Sequence, residues 1–232
     1  MKLNIENLDF SYGSVQVLND ISMEFEPAQI TCVMGRNGVG KTTLLHNVMG
    51  ILNPSRGKIQ LDGSDVAGVP AYRRARMGLG LVPQGRQIFP KLTVQENLQV
   101  GLQGRRDRIR RVPDEIYDLF PILGEMRRRK GGDLSGGQQQ QLSIGRALAG
   151  NPNVLLLDEP TEGIQPNIIQ QIGQVLIQLV KQRQMTVVLV EQYLDFVREY
   201  GHVFYVMERG RVMAKGSTSD LTEEIVNTHL TI

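Results

Sequence analysis

Tryptophan is absent from this sequence, cysteine occurs once, and aromatic residues make up only 5% of the chain. A single cysteine excludes an internal disulfide, so stability has to come from burial, and a reducing cytosol is the natural setting. Cys32 lies in an apolar stretch, where a packed thiol is expected instead of a reactive one. Nowhere does an uninterrupted apolar run approach the roughly 20 residues needed to span a bilayer, and the opening MKLNIENLDF lacks the apolar segment of a secretory signal. Any service to a membrane is therefore expected to pass through a partner. The three histidines, His46, His202 and His229, are too scattered for a metal centre. A formal net charge of +2 is too small to argue for nucleic acid. Repeats and low-complexity tracts are missing too. What remains is 232 residues, 41% hydrophobic and 22% charged, which fits one domain with a large core, or a core carrying one inserted lobe.

Against this ordinary background one stretch stands out. Residues 35–43 read GRNGVGKTT and fit G-x-x-x-x-G-K-[ST], with Gly35, Gly40, Lys41 and Thr42 in the fixed places. Arg36, Asn37, Gly38 and Val39 span the loop between them, and Thr43 follows. The flanks agree: Ile30 to Met34 reads as a buried strand, and Thr43 to Met49 can wind as a helix. Glycines let backbone N–H groups converge on phosphate oxygens, and the helix start adds its positive end. In such a loop Lys41 faces the β- and γ-phosphates and the Thr42 hydroxyl faces Mg²⁺.

Upstream, Leu3 to Tyr12 and Val15 to Phe25 alternate in polarity and are split by Gly13, which predicts two antiparallel strands. Tyr12 at their turn either stacks on a purine face or packs on its neighbour. Downstream, Lys58 to Leu61 and Leu79 to Pro83 read as strands, with a short basic surface helix at Ala71 to Met77 between them. From Gly85 to about Asn151 strands give way to helices. Thr93 and Glu96 open one helix as a capping box, and Ile116, Leu119 and Phe120 put an apolar stripe on another. The basic runs Arg105 to Arg111 and Arg127 to Lys130 are diluted by Asp107, Asp114, Glu115 and Glu125, so they read as solvated faces and no nucleic-acid partner is expected. Past Pro152, strand and helix alternate again, through Val154 to Leu157, a striped helix over Ile168 to Leu179, Thr186 to Val190 and Leu194 to Tyr200. A hairpin around Glu208-Arg209-Gly210 and a helix at Leu221 to His229 close the chain. The predicted fold class is α/β in a single domain, residues 1–232: a nucleotide-binding core of residues 1–85 and 152–232 with an antiparallel β subdomain, and an inserted helical subdomain of residues 86–151.

Two more signals carry chemistry. Asp158 and Glu159 end an apolar strand, where a carboxylate pair is most simply explained by a cation, and where one group can hold Mg²⁺ while the other orients or deprotonates a water. Gln84, also just past a strand, can offer its carbonyl oxygen to Mg²⁺ or to that water. The second signal is Leu134-Ser135-Gly136-Gly137-Gln138, a second anion-binding helix start without a lysine loop of its own. Its simplest use is to contact a nucleotide held by another copy.

With GRNGVGKT at 35–42, Gln84 after a strand, LSGGQ at 134–138 and VLLLDEP at 154–160, nearly the whole chain resembles the ATP-binding subunits of ABC transporters. The resemblance implies a P-loop NTPase core, ATP and Mg²⁺ as cofactors, and ATP hydrolysis. It implies that Tyr12 stacks on adenine, that Glu159 is the general base, that Gln84 senses γ-phosphate and Mg²⁺, and that residues Ser135 to Gln138 close on the opposite protomer's ATP. The implied partners are integral-membrane permease subunits, a second ATPase subunit identical or related to this one, and, indirectly, an extracytoplasmic solute-binding protein. The chain itself would sit peripherally on the cytoplasmic face. Ile88, Phe89 and Leu92 either dock the permease or pack the lobe. The strings VPQGRQIFPKLTVQEN at 82–97, EGIQP at 162–166 and VEQ at 190–192 look like importers of branched-chain amino acids and, most closely, of urea. Two rival readings are a soluble ABC ATPase that remodels another assembly and an ATP-binding scaffold that does not hydrolyse. Three positions depart from the family pattern: Gln192 replaces a switch histidine and joins Glu159 and Lys41 as a catalytic candidate, Gln165 replaces an aspartate, and Gln141 replaces a basic residue.

Overall fold

A computed structural model of the protein describes residues 1–230, without the side chain of His229. The chain opens with β1 (Leu3–Tyr12), β2 (Val15–Phe25) and β3 (Ile30–Met34), then α1 (Lys41–Met49), β4 (Arg56–Leu61), β5 (Ser64–Asp65), α2 (Ala71–Arg76) and β6 (Leu79–Val82). A helical stretch follows, with α3 (Val94–Gly101), α4 (Asp114–Leu119), α5 (Pro121–Glu125) and α6 (Gly136–Ala149). The last part holds β7 (Val154–Asp158), α7 (Pro166–Arg183), β8 (Thr186–Val190), α8 (Leu194–Tyr200), β9 (Val203–Glu208), β10 (Arg211–Ser217) and α9 (Glu223–His229).

These strands form two sheets. One is antiparallel, in the order β2-β1-β4-β5, and the other has six strands in the order β10-β9-β3-β8-β7-β6, parallel except for β10. Every residue of β3, β7 and β8 is buried, because both faces of the larger sheet are covered and an unbroken apolar run suits that position. The period of two sorts their side chains. Cys32, Leu155, Leu157, Val187 and Leu189 join one core with α7, α8 and the helical stretch, whereas Val33, Leu156, Val188 and Val190 join another with α1 and the antiparallel sheet. Cys32 is fully buried and desolvation pushes its thiol pKa up, as a packing residue requires. His202 is likewise structural: its Nδ1 accepts from the Ile30 N–H at 3.2 Å, and burial lowers its pKa.

The helical stretch contains no named strand among the described residues, only an isolated bridge from Thr93 to Lys130. Thr93 caps α3 and Ser135 caps α6, each in a complete capping box, with Glu96 and Gln138 reaching back. Ile116, Leu119 and Phe120 are all buried, as their spacing predicts. Among the described residues no helix is long and apolar enough to cross a membrane.

One expectation needs correcting. The short basic helix α2 is not a simple surface element: Arg73 and Arg76 are exposed, but Arg74 is 0% exposed. Its Nη1 donates to the carbonyls of Asn47 and Val48, both at 2.7 Å, while Nε and Nη2 donate to Val69 and Ala67, also at 2.7 Å. Periodicity cannot reveal such a residue, because what buries it is a set of backbone carbonyls at the end of α1 and in the loop before α2. Arg74 therefore anchors the far end of the helix that begins at Lys41. We expect Arg74→Ala to destabilise the protein by on the order of 3 kcal/mol in denaturant unfolding, since it strands buried carbonyls, while Arg73→Ala stays within about 0.5 kcal/mol.

Candidate functional site

The C-terminal ends of β3, β7, β8 and β6 lie side by side, and each delivers a polar residue to one cleft of about 800 Å³. From the loop after β3 come Asn37, Gly38, Gly40, Lys41, Thr42 and Thr43. From the other strand ends come Glu159 after β7, Glu191 and Gln192 after β8, and Gln84 after β6. Tyr12 stands at the rim, 52% exposed and edge-on to Phe10 at 4.8 Å between ring centroids. The volume suits a small-molecule ligand.

The loop spells its glycines for steric reasons that the fold makes visible. At Gly35 (φ 149°) a Cβ would lie 2.4 Å from the Met207 carbonyl oxygen, and at Gly40 (φ 105°) it would lie 2.9 Å from a Leu18 methyl. Gly40 ends the loop and α1 begins at Lys41, two residues earlier than the sequence predicts. Gly35 and Arg36 face a neighbouring depression shared with Asn37 and Gln192, and Val39 packs partly against the core under the antiparallel sheet.

Lys41 is buried, and its Nζ donates to the carbonyls of Gly35 (2.7 Å) and Arg36 (2.9 Å) while lying 3.7 Å from Glu159 Oε1. Burial lowers its pKa, and the charges of Glu159 and Asp158 hold it up. Glu159 adopts φ 47°, a left-handed conformation uncommon outside glycine, which turns its carboxylate into the cleft. Gln192 Nε2 donates to Glu159 Oε1 at 2.6 Å and to Asn37 Oδ1 at 2.8 Å. Gln84 Nε2 donates to Glu159 Oε2 at 2.9 Å and to Glu162 Oε2 at 3.2 Å. Two neutral amides and one ammonium thus surround a single carboxylate.

Asp158 lies deeper. It is 2% exposed, and its Oδ1 has no hydrogen-bond partner. Desolvation raises its pKa, the Thr42 hydroxyl bonded to it opposes the rise, and the neighbouring charge of Glu159 adds to it. Thr42, Gln84 and Asp158 line one small recess. An unpartnered, buried carboxylate oxygen beside a hydroxyl and an amide carbonyl is an oxygen donor set that fits Mg²⁺. Among the described residues no three His, Cys, Asp or Glu side chains converge on a metal, so such a cation would depend on phosphate oxygens for the rest of its shell.

The structure does not bring residues Leu134 to Gln138 into this cleft. Leu134 is buried, Gly136 lies against the Arg86 guanidinium, Gly137 lies against Ile168, and Ser135 and Gln138 face a separate cleft with Gln141 and Gln165. Gln141 is buried and donates to Gln171 Oε1 at 3.0 Å, and Gln165 caps α7 without a side-chain hydrogen bond. Phe89 is 45% exposed, whereas Ile88 packs partly on the core.

Sequence reasoning missed Glu191, Glu162 and Thr161 as members of the cleft. Glu191 had a signal, an acidic residue directly after the apolar run Val187 to Val190, in the manner of Asp158 and Glu159. The other two follow Glu159 closely and needed the loop's path to place them.

The buried carboxylate yields a prediction. A folded-state pKa raised above the unfolded one means that the stability Asp158 contributes is present in acid and lost as pH rises through the folded value. Without Mg²⁺ and nucleotide, Asp158→Asn should be more stable than the parent near neutrality, by about 1–3 kcal/mol, the usual cost of a buried polar atom without a partner. The difference should close as pH falls, in urea unfolding followed across pH.

Comparison with known proteins gives this geometry a context. The ABC transporter family matches residues 18–162. The chain is 39% identical over 212 residues to the high-affinity branched-chain amino acid transport ATP-binding protein BraG of Pseudomonas aeruginosa, covering 91% of both chains. It is 34% identical over 229 residues to the lipopolysaccharide export system ATP-binding protein LptB of Haemophilus influenzae, covering 97% of this chain and 92% of that one. Among solved structures it superposes on a nucleotide-free ATP-binding cassette from an ABC transporter with a TM-score of 0.82 and 28% identity, covering 99% of this chain and 95% of the other. On these likenesses the chain belongs to the ABC transporter family as one of its ATP-hydrolysing ATP-binding cassettes.

Proposed function

We propose that this cassette energises uptake of a small polar solute, urea or a branched-chain amino acid, through separate integral-membrane permease subunits on the cytoplasmic face of a membrane. The observation that carries this reading is the likeness to BraG along 91% of the chain, joined by the strings at 82–97, 162–166 and 190–192. The likeness to LptB favours export as the second reading. In our reading two ATPase subunits pair, and residues 86–151 form the helical subdomain that presents Leu134 to Gln138 to the partner's ATP. Their separation from the Lys41 cleft within one chain supports that arrangement.

The chain's own groups divide the chemistry. Backbone N–H groups of residues 35–43 and the start of α1 bind the phosphates, and Lys41 adds the charge for the β- and γ-phosphates. Tyr12 offers its exposed ring to the base. Thr42 and Asp158, with Gln84, would hold Mg²⁺, which when bound neutralises charge on the phosphate oxygens. Glu159 takes the proton of the attacking water as general base, and the donors around it fix its direction. Gln192 orients Glu159 and phosphate by hydrogen bonding alone, because an amide neither takes up nor releases a proton at any working pH.

In single-turnover ATP hydrolysis, Glu159→Gln should lose about 10²- to 10⁴-fold in rate, the usual worth of a general base. Gln192→Ala should lose only about ten- to a hundredfold, the worth of a hydrogen bond to a charged group, and Gln192→His should keep most of the rate. Equal losses for Glu159→Gln and Gln192→Ala would reject the division between base and positioner.

The transport reading is tested by purifying the cassette with its membrane partner and reconstituting both with the cognate solute-binding protein. Urea or leucine supplied outside should stimulate ATP hydrolysis and accumulate inside the vesicles. Outward movement of a lipid-linked substrate with neither solute accumulating would establish export instead.

A further inference from the structure

Glu191 sits directly after β8, 2% exposed, and its carboxylate holds two loops at once. Oε1 accepts from the N–H and the hydroxyl of Thr161, at 3.0 and 2.6 Å. Oε2 accepts from the backbone N–H groups of Gln192 and Tyr193, at 2.9 and 3.1 Å. Four donors occupy the four lone-pair directions of an ionised carboxylate. Thr161 opens the loop that leads from Glu159 to α7, and Gln192 and Tyr193 form the loop that leads to α8. A buried carboxylate is costly unless each of its oxygens is satisfied, so neither loop can shift without orphaning its half of the anion.

We infer that Glu191 is a positioning residue for hydrolysis: by tying Thr161 to the Gln192 backbone, it sets the Gln192 amide against Glu159. The inference rests on the roles proposed above for Glu159 and Gln192. Gln192 Nε2 reaches Glu159 Oε1 at 2.6 Å between two loops that strand pairing does not join, although the Glu159 N–H donates to the Val190 carbonyl at 2.9 Å at the very end of β8. The Glu191 carboxylate links those loops directly. Glutamine at position 191 would not replace it, because one oxygen can serve only one pair of donors and its NH₂ group would face the other pair.

The test uses the milder end of the link. Thr161→Val removes the hydroxyl donor at nearly constant shape and keeps the backbone donor. We expect single-turnover ATP hydrolysis to fall about fivefold, the worth of one hydrogen bond, with ATP affinity unchanged within about twofold and thermal unfolding close to the parent. Thr161→Ser should restore the rate. In a Gln192→Ala background, Thr161→Val should cost nothing further, because the group through which it acts is gone. Glu191→Gln should lose rate in the same way and be equally silent in that background.

Losses that multiply in the double variant would overturn the inference while leaving the reading of Gln192 intact, and so would a parent-like rate in Thr161→Val. A parent-like rate in Gln192→Ala by itself would overturn both.

Discussion

Parallel pairing of four strands in register is the constraint on which the rest of this molecule depends. Val82 pairs with Leu157, Asp158 with Val190 and Val33 with Val190, so β6, β7, β8 and β3 all end at one edge of the sheet. Residues that follow these ends, at sequence positions from 35 to 192, are carried together by the strands before any side chain of theirs makes a contact. The apolar side chains on both faces of the sheet hold that register, since a slip by one residue would turn each buried set to the wrong core.

On that edge the charges are uneven. One buried ammonium, Lys41, lies among the carboxylates of Asp158, Glu159 and Glu191, and each carboxylate is treated differently. Glu191 is fully bonded to loop donors, Glu159 is held by two amides and Lys41, and Asp158 keeps one oxygen without a partner. The three environments match the three kinds of work proposed for them: holding loops, accepting a proton, and meeting a cation. The Gln192 amide joins the glycine loop, through Asn37, to the Glu159 carboxylate.

Much of this was legible in the sequence. The glycine loop announces itself because only glycine tolerates the positive φ and the close backbone approaches at Gly35 and Gly40. Strands β3, β7 and β8 are predominantly apolar because both of their faces are covered, and that composition is visible without coordinates. The capping box at Thr93 is local, formed within four residues, so local spacing finds it.

Residues whose role comes from distant backbone were not legible. Arg74 looks like a surface cation on a basic helix and proves to be a buried cap for the end of another helix, because the carbonyls that demand it belong to residues 47 and 48. Glu191 reads as a strand-end acid until the loop at Thr161 is seen to wrap onto it. The sequence by itself determined the glycine loop, the buried strands and the Asp158–Glu159 carboxylate pair at a strand end, because each of these depends on residue type and short spacing. Only the tertiary structure decided which carboxylate stays unpaired, which is clamped and which ties loops together, since partners for hydrogen bonds are assigned by where separate strands end in space.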